Sequence, residues 1–148
     1  MKCYSSIATV EGVLLHGCET WTINKNTEKM IDGAYTRMLR AATNVSWREH
    51  ITNIELYGSL PKVTSKIRER RMRLAGHCVR HTEEEASKLI LWQPHRGRKN
   101  QGRPRRTYID NLLEDTGLTT IGEIKAAMAD WSEWGKRIHM VRAGARPK

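Results

Sequence analysis

Phenylalanine is missing altogether, so five tryptophans and four tyrosines have to supply the aromatic bulk of any core. Cysteine is scarce: Cys3, Cys18 and Cys78 form an odd set with no CxxC pair. That argues against a disulfide scaffold and fits a reducing compartment. Aspartate is limited to Asp32, Asp110, Asp115 and Asp130. Polymerases and nucleases hold divalent metal on clustered carboxylates, whereas these four stand apart and read as helix-end or surface acids. No Asp-Asp pair, HExxH, GxSxG or phosphate loop occurs, so neither catalysis nor a cofactor is expected from these residues. No run approaches the ~18 apolar residues of a membrane span. The N-terminus carries no basic-flanked apolar stretch of signal-peptide length. The expectation is an intracellular chain, nuclear or cytoplasmic, with no membrane contact and no small-molecule ligand. Its 148 residues, 39% of them apolar, leave room for one domain or two very small ones with a modest core.

What is present is positive charge, unevenly placed. The chain carries a net +10, yet the residues before Lys62 are balanced at six basic and six acidic. Lys62, Lys66, Arg68, Arg70, Arg71, Arg73 and Arg80 face only Glu69 within 62–81, a local charge of +6. Arg96, Arg98, Lys99, Arg103, Arg105 and Arg106 add another +6 without an acid, and 107–135 then falls to −5. Two basic blocks so close together, one helical and one a Gly/Pro loop, point to a polyanion partner, most often nucleic acid.

Apolar periodicity is helical nearly throughout. Met30, Ile31, Ala34, Tyr35, Met38, Leu39 and Ala42 form one wide stripe, with Lys29, Arg37 and Arg40 opposite. Both Met38 and Leu39 are expected inside. Capping boxes are expected at Thr52–Glu55, Thr82–Glu85 and Thr120–Glu123, and Asp130 caps a last helix that turns Trp134, Ile138 and Val141 inward. Gly58 and Gly117 are stops, and Pro94 breaks a helix. Strand signal is weak and confined to 13–21. The fold class is all-α, a small helical bundle followed by a basic Gly/Pro loop and two or three short C-terminal helices.

The helix after Pro61 is the key element. Val63, Ile67, Leu74 and Cys78 share one face, while Lys62, Lys66, Arg73 and Arg80 line a neighbouring one for about 27 Å, with His77 at its edge. Arg70 falls within the apolar stripe, which requires a buried ion pair or a helix pulling away from the core. Cys78 and His81 are spaced to share a metal, but a structural zinc needs four ligands and no second pair is present at standard spacing. Gln101-Gly102-Arg103-Pro104-Arg105-Arg106 resembles an AT-hook, whose arginine enters a narrow minor groove, except that Gln101 stands where that motif has a second arginine.

Five blocks, in order, carry a broader resemblance. Residues 13–22, VLLHGCETWT, are similar to the LLYGxETWT segment of non-LTR (LINE-type) retrotransposon reverse transcriptases. YTRMLR at 35–40 and VSWREHITN at 45–53 match that family's next blocks. RERRMRLAGHCVRH at 68–81 is similar to its RRxRLxGHxxR helix, and Gly102-Arg103-Pro104 to its RGRP turn. Trp131 stands where the family pattern has arginine. The resemblance implies a thumb-like bundle over 1–92, a basic linker over 93–106 and a small helical extension over 107–148. It implies a module that grips a template–primer duplex (RNA, DNA or their hybrid) beside a catalytic palm. The palm, with the aspartates that bind magnesium, and the endonuclease belong upstream in such proteins. The residues it points to are Arg68, Arg70, Arg71, Arg73, Arg80 and the Gly102-Arg103-Pro104 turn. Lys62, Lys66, Arg98, Lys99, Arg105 and Arg106 join them on charge alone. The rival expectation is a structural module whose basic helix docks on an acidic protein surface and never meets nucleic acid.

Overall fold

Short polar side chains decide where the helices begin. In the computed structural model, which describes residues 2–83, 85–92 and 106–144 (side chains of 2–7 and 86 excepted), Asn24 accepts the Thr27 amide and opens a helix at Lys25. Reciprocal capping boxes join Ser46 to Glu49, Thr52 to Glu55, Thr107 to Asp110 and Thr120 to Glu123. Asp130 accepts from the amides of Ser132 and Glu133. Each satisfies amides that a helix start leaves orphaned. Gly58 and Gly117 end their helices with positive φ, 51° and 71°.

The resulting elements are α1 (Lys2–Leu14), a 3-10 turn (Cys18–Thr20), α2 (Lys25–Ala42), a second 3-10 turn (Trp47–Glu49), α3 (Asn53–Tyr57), α4 (Val63–Arg80), α5 (Glu85–Ile90), α6 (Tyr108–Thr116), α7 (Ile121–Ala129) and α8 (Trp131–Arg142). The fold is all-α, with no strand among the described residues, and none of the described helices is long and apolar enough to cross a membrane. The weak strand signal at 13–21 resolves into the end of α1 and the Cys18–Thr20 turn. α5 begins at Glu85, whereas a box at Thr82 would start it at Glu83. The break expected at Pro94 lies outside the described residues.

α4 organises everything else. Val63 and Ile67 on its first half are buried with Leu15, Cys18, Ile23, Tyr35 and Leu39. Met72 and Ala75 on its second half are buried with Leu112, Ile124, Ala127, Met128, Trp134 and Val141. The absence of phenylalanine is met by one buried aromatic per core, Tyr35 at 0% exposure in the first and Trp134 at 2% in the second, with Trp21, Tyr57 and Tyr108 packed against them. The two cores meet on α4, so the first draws on α1 and α2 and the second on α6, α7 and α8. Among the described residues, the buried side chains of α6, α7 and α8 cluster with the second half of α4, which they enclose.

On α2 the apolar stripe is wider than the surface that covers it. Tyr35 and Leu39 are buried and Ile31 is half-buried, an i, i+4 line facing α4. Met38 is 40% exposed and Met30 73%, because each sits one residue, or about 100°, off that line. The expectation of a buried Met38 is therefore corrected. Leu39→Ala should cost ~2–5 kcal/mol in chemical denaturation. Arg37→Ala should stay within about 0.5 kcal/mol, with Met38→Ala falling between; a Met38→Ala loss equal to that of Leu39→Ala would refute this helix phase.

Candidate nucleic-acid interface

Most of the basic residues on α4 reach inward. Arg71 is only 2% exposed; its Nη1 donates to Asp115 Oδ2 of α6 at 2.5 Å and its Nη2 to the Trp21 carbonyl at 3.2 Å. Arg68 lies 3.3 Å from the other Asp115 oxygen through Nε and donates through Nη2 to Glu28 of α2 at 2.5 Å. Asp115, expected at the surface, is 6% exposed. Burial pushes its carboxyl up from the ordinary carboxylate value, against the pull of Arg71 and Arg68. Lys66 donates to Glu11 of α1 at 2.5 Å, and the Tyr35 hydroxyl donates to the same oxygen. Burial alone would raise the Glu11 carboxyl, but the hydrogen bonds from Lys66 and Tyr35 outweigh it and hold it below the usual value. Arg106 is tied to Asn111 and Glu114 of α6.

Arg70, placed by periodicity in the apolar stripe, is exposed at the rim and donates one nitrogen to the Leu15 carbonyl at 3.0 Å. Of the two alternatives for that position, a buried ion pair or an edge away from the core, Arg70 takes the edge, and the buried pair is made by its neighbour, Arg71. Arg80 donates to the Met128 carbonyl at 3.1 Å, satisfying an orphan acceptor at the end of α7. Its guanidinium carbon lies 4.5 Å from the centroid of the Trp131 ring, a cation–π contact. Lys62, exposed, is the N-cap of α4, and Arg73, with its side chain 60% exposed, pairs with Glu69 one turn back at 2.8 Å. Of the stripe formed by Lys62, Lys66, Arg73 and Arg80, Lys62 and Arg73 are exposed to solvent, while Lys66 and Arg80 are half-buried. Arg98, Lys99, Arg103, Arg105 and the Gly102-Arg103-Pro104 turn lie outside the described residues.

The structure adds partners from α8 that sequence reading passed over. α8 runs antiparallel to α4, with Trp131 beside Arg80, Trp134 on Gly76, and Arg142 Nε 3.8 Å from Glu69 Oε2. The furrow between the two helices is lined at one end by Lys66, Arg70, Arg73 and Arg142 against one carboxylate, Glu69. Through Arg73 it continues into a cleft lined by His77, Arg80, His139, Trp131 and Trp134, with no carboxylate. Trp131, Gly135, His139 and Arg142 recur at helical spacing, so this face was readable beside the inward face of Trp134, Ile138 and Val141.

None of the four aspartates is idle. Asp32 accepts from the Thr64 amide and hydroxyl at 3.3 and 3.1 Å, Asp110 and Asp130 cap helices, and Asp115 holds the two arginines. Among the described residues no three His, Cys, Asp or Glu side chains are grouped to hold a metal ion. Cys78 is 1% exposed inside the fold, and the His77 and His81 rings lie 4.3 Å apart, centroid to centroid. No family model matches this chain, and no curated protein or solved structure matches it.

Two features hold the furrow in shape. A Cβ built on Gly76 would sit 2.7 Å from Trp134 Cδ1, so only glycine lets the indole close on α4 and donate to the Met72 carbonyl at 3.0 Å. Gly76→Ala should therefore destabilise the fold by ~1–3 kcal/mol. Gly33→Ala, whose Cβ meets nothing within 4 Å, should stabilise it by about 0.5–1 kcal/mol. Arg71→Ala leaves Asp115 buried with half its partners and should cost ~3–5 kcal/mol, whereas Arg73→Ala should barely register. Denaturant titration of the four variants checks both pairs; a stabilising Gly76→Ala would show that Trp134 is not seated there.

Proposed function

We propose that this chain is a nucleic-acid-binding helical module, without catalytic activity of its own, that grips the phosphate backbone of a duplex. The observation that carries it is the furrow between α4 and α8. Its cations come from two helices, and Glu69, already flanked by Arg73 and Arg142, is the single acid in its lining. Lys62, Arg70, Arg73 and Arg142 reach solvent and can neutralise phosphates, releasing the counterions condensed on them. Arg68, Arg71 and Arg106 serve the fold instead. Along the twelve residues of α8 the furrow runs for roughly 17 Å, from a rise of about 1.5 Å per residue. That is the span of about five phosphates along one strand.

The five sequence blocks supply the context. By their resemblance to non-LTR retrotransposon reverse transcriptases, the module sits beside a catalytic palm and holds a template–primer duplex of RNA, DNA or their hybrid. Magnesium belongs to that palm. The use of all four aspartates in caps and pairs supports a binding rather than a catalytic role here. Arginines without Asn or Gln partners position a duplex rather than read its bases, so binding is sequence-independent.

A protein-docking role is the second reading, favoured by Trp47 at 77% and Ile54 at 85% exposure around α3. Salt dependence separates the two. Anisotropy of a labelled duplex, titrated across a salt series, should give a log K against log salt slope that flattens by about 2 units in Arg73→Gln/Arg142→Gln. Affinity should fall alike for A·T-rich and G·C-rich sequences. Unchanged affinity and slope in that variant would overturn the duplex reading and leave docking as the account.

A further inference from the structure

We propose that the cleft at the Trp131 end of the furrow receives an unpaired nucleobase, so that the favoured ligand is a duplex carrying a single-stranded extension. This rests on the furrow being a nucleic-acid interface, and it adds a distinct ligand feature.

Trp131 opens α8 and is 72% exposed. A lone exposed apolar side chain needs no explanation, but this one is held in place. Arg80 lies 4.5 Å from the ring centroid and is itself anchored to the Met128 carbonyl at 3.1 Å. One face of the indole is thus backed by a cation, and most of the ring's surface is still open to solvent. Beside it the cleft encloses about 320 Å³, near the lower end of ligand-binding volumes. Its floor is Trp134 and its rim carries Arg73, His77 and His139. Gly135 keeps the wall low, since a Cβ there would meet nothing within 4 Å.

A fixed aromatic face with cations around it is the arrangement that holds single strands: the base stacks and the phosphates pair with the arginines. A base inside a duplex is already stacked on both faces, and a terminal pair would have to bring its partner base into the same cleft of about 320 Å³, so an unpaired base is the occupant that fits. An acidic peptide would use the cations but leave the indole face uncovered. Because every base has a π face, the cleft tolerates any sequence.

The test compares a blunt duplex with the same duplex bearing a short single-stranded extension that contains 2-aminopurine. The extended probe should bind the wild-type chain about 5- to 150-fold more tightly, with its fluorescence quenched on stacking. Trp131→Ala should bring the extended probe down to the blunt affinity and abolish the quench, while Trp131→Phe keeps part of both. Gly135→Leu fills the cleft without removing a charge and should also erase the preference. Circular dichroism confirms that each variant folds. Equal binding of both probes by the wild type, or a preference that survives Trp131→Ala, would overturn this inference and leave the furrow reading standing. Failure of the wild type to bind either probe would overturn both.

Discussion

The buried contact of Arg71 and Arg68 with Asp115 is the constraint on which the rest of the structure depends. It lies midway along α4, between Ile67 of one core and Met72 of the other, and it joins three helices, since Arg68 also reaches Glu28 on α2. Taking these charges out of water costs several kcal/mol per ion, so the pair adds little net stability. What it supplies is register. With Asp115 fixed against Arg71, α6 can sit on α4 in one place only, and α7 and α8 follow through short connections. Arg71 also accounts for the Trp21 carbonyl, tying the Cys18–Thr20 turn to the same point. Two small cores, each marginal alone at this chain length, are thereby made one cooperative unit around a shared helix.

That arrangement explains why a strongly basic helix is also the most buried one. The acids that answer it come from far along the chain: Glu11 to Lys66, Glu28 to Arg68 and Asp115 to Arg71. A charge run read along the sequence looks like a solvated or ligand-facing stripe because its partners are invisible at that distance. In the fold the run splits by direction. Arg68 and Arg71 turn toward α2 and α6, Arg70 stands at the rim, and Arg73 points to solvent. The charge left over for a partner is smaller than the sequence count, but it is joined by Arg142, which lies outside both basic blocks.

Helix class, the starts at Thr52, Thr120 and Asp130, and the stops at Gly58 and Gly117 were legible, because capping and left-handed stops are local chemistry among residues three or four apart. So were Leu39, Trp134 and Val141 as core, since a strict 3.6-residue period selects them. Met38 was misplaced because periodicity gives the direction of a stripe but not the width its neighbours cover. The ion pairs could not be read, since nothing in the spacing of Arg68, Arg70 and Arg71 says which of the three points inward. Of the candidate site, Arg73 was legible as an exposed cation. The α8 contribution escapes a reading by apolar period, which marks only the inward face of Trp134, Ile138 and Val141.

Gly76 joins the two scales. Its missing side chain admits Trp134, whose indole hydrogen bond to the Met72 carbonyl brings α8 against the second half of α4. With α8 seated so closely, the side chains one step round each helix are forced into a common furrow: Arg73, His77 and Arg80 from one, Trp131, His139 and Arg142 from the other. The same approach sets the end of α7 beside Arg80, which satisfies Met128 and so becomes the fixed backing for Trp131. The furrow is therefore not a surface added to a finished fold. It is the outer edge of the contact that closes the second core, and its charges and its aromatic face are held by the same packing that stabilises the chain.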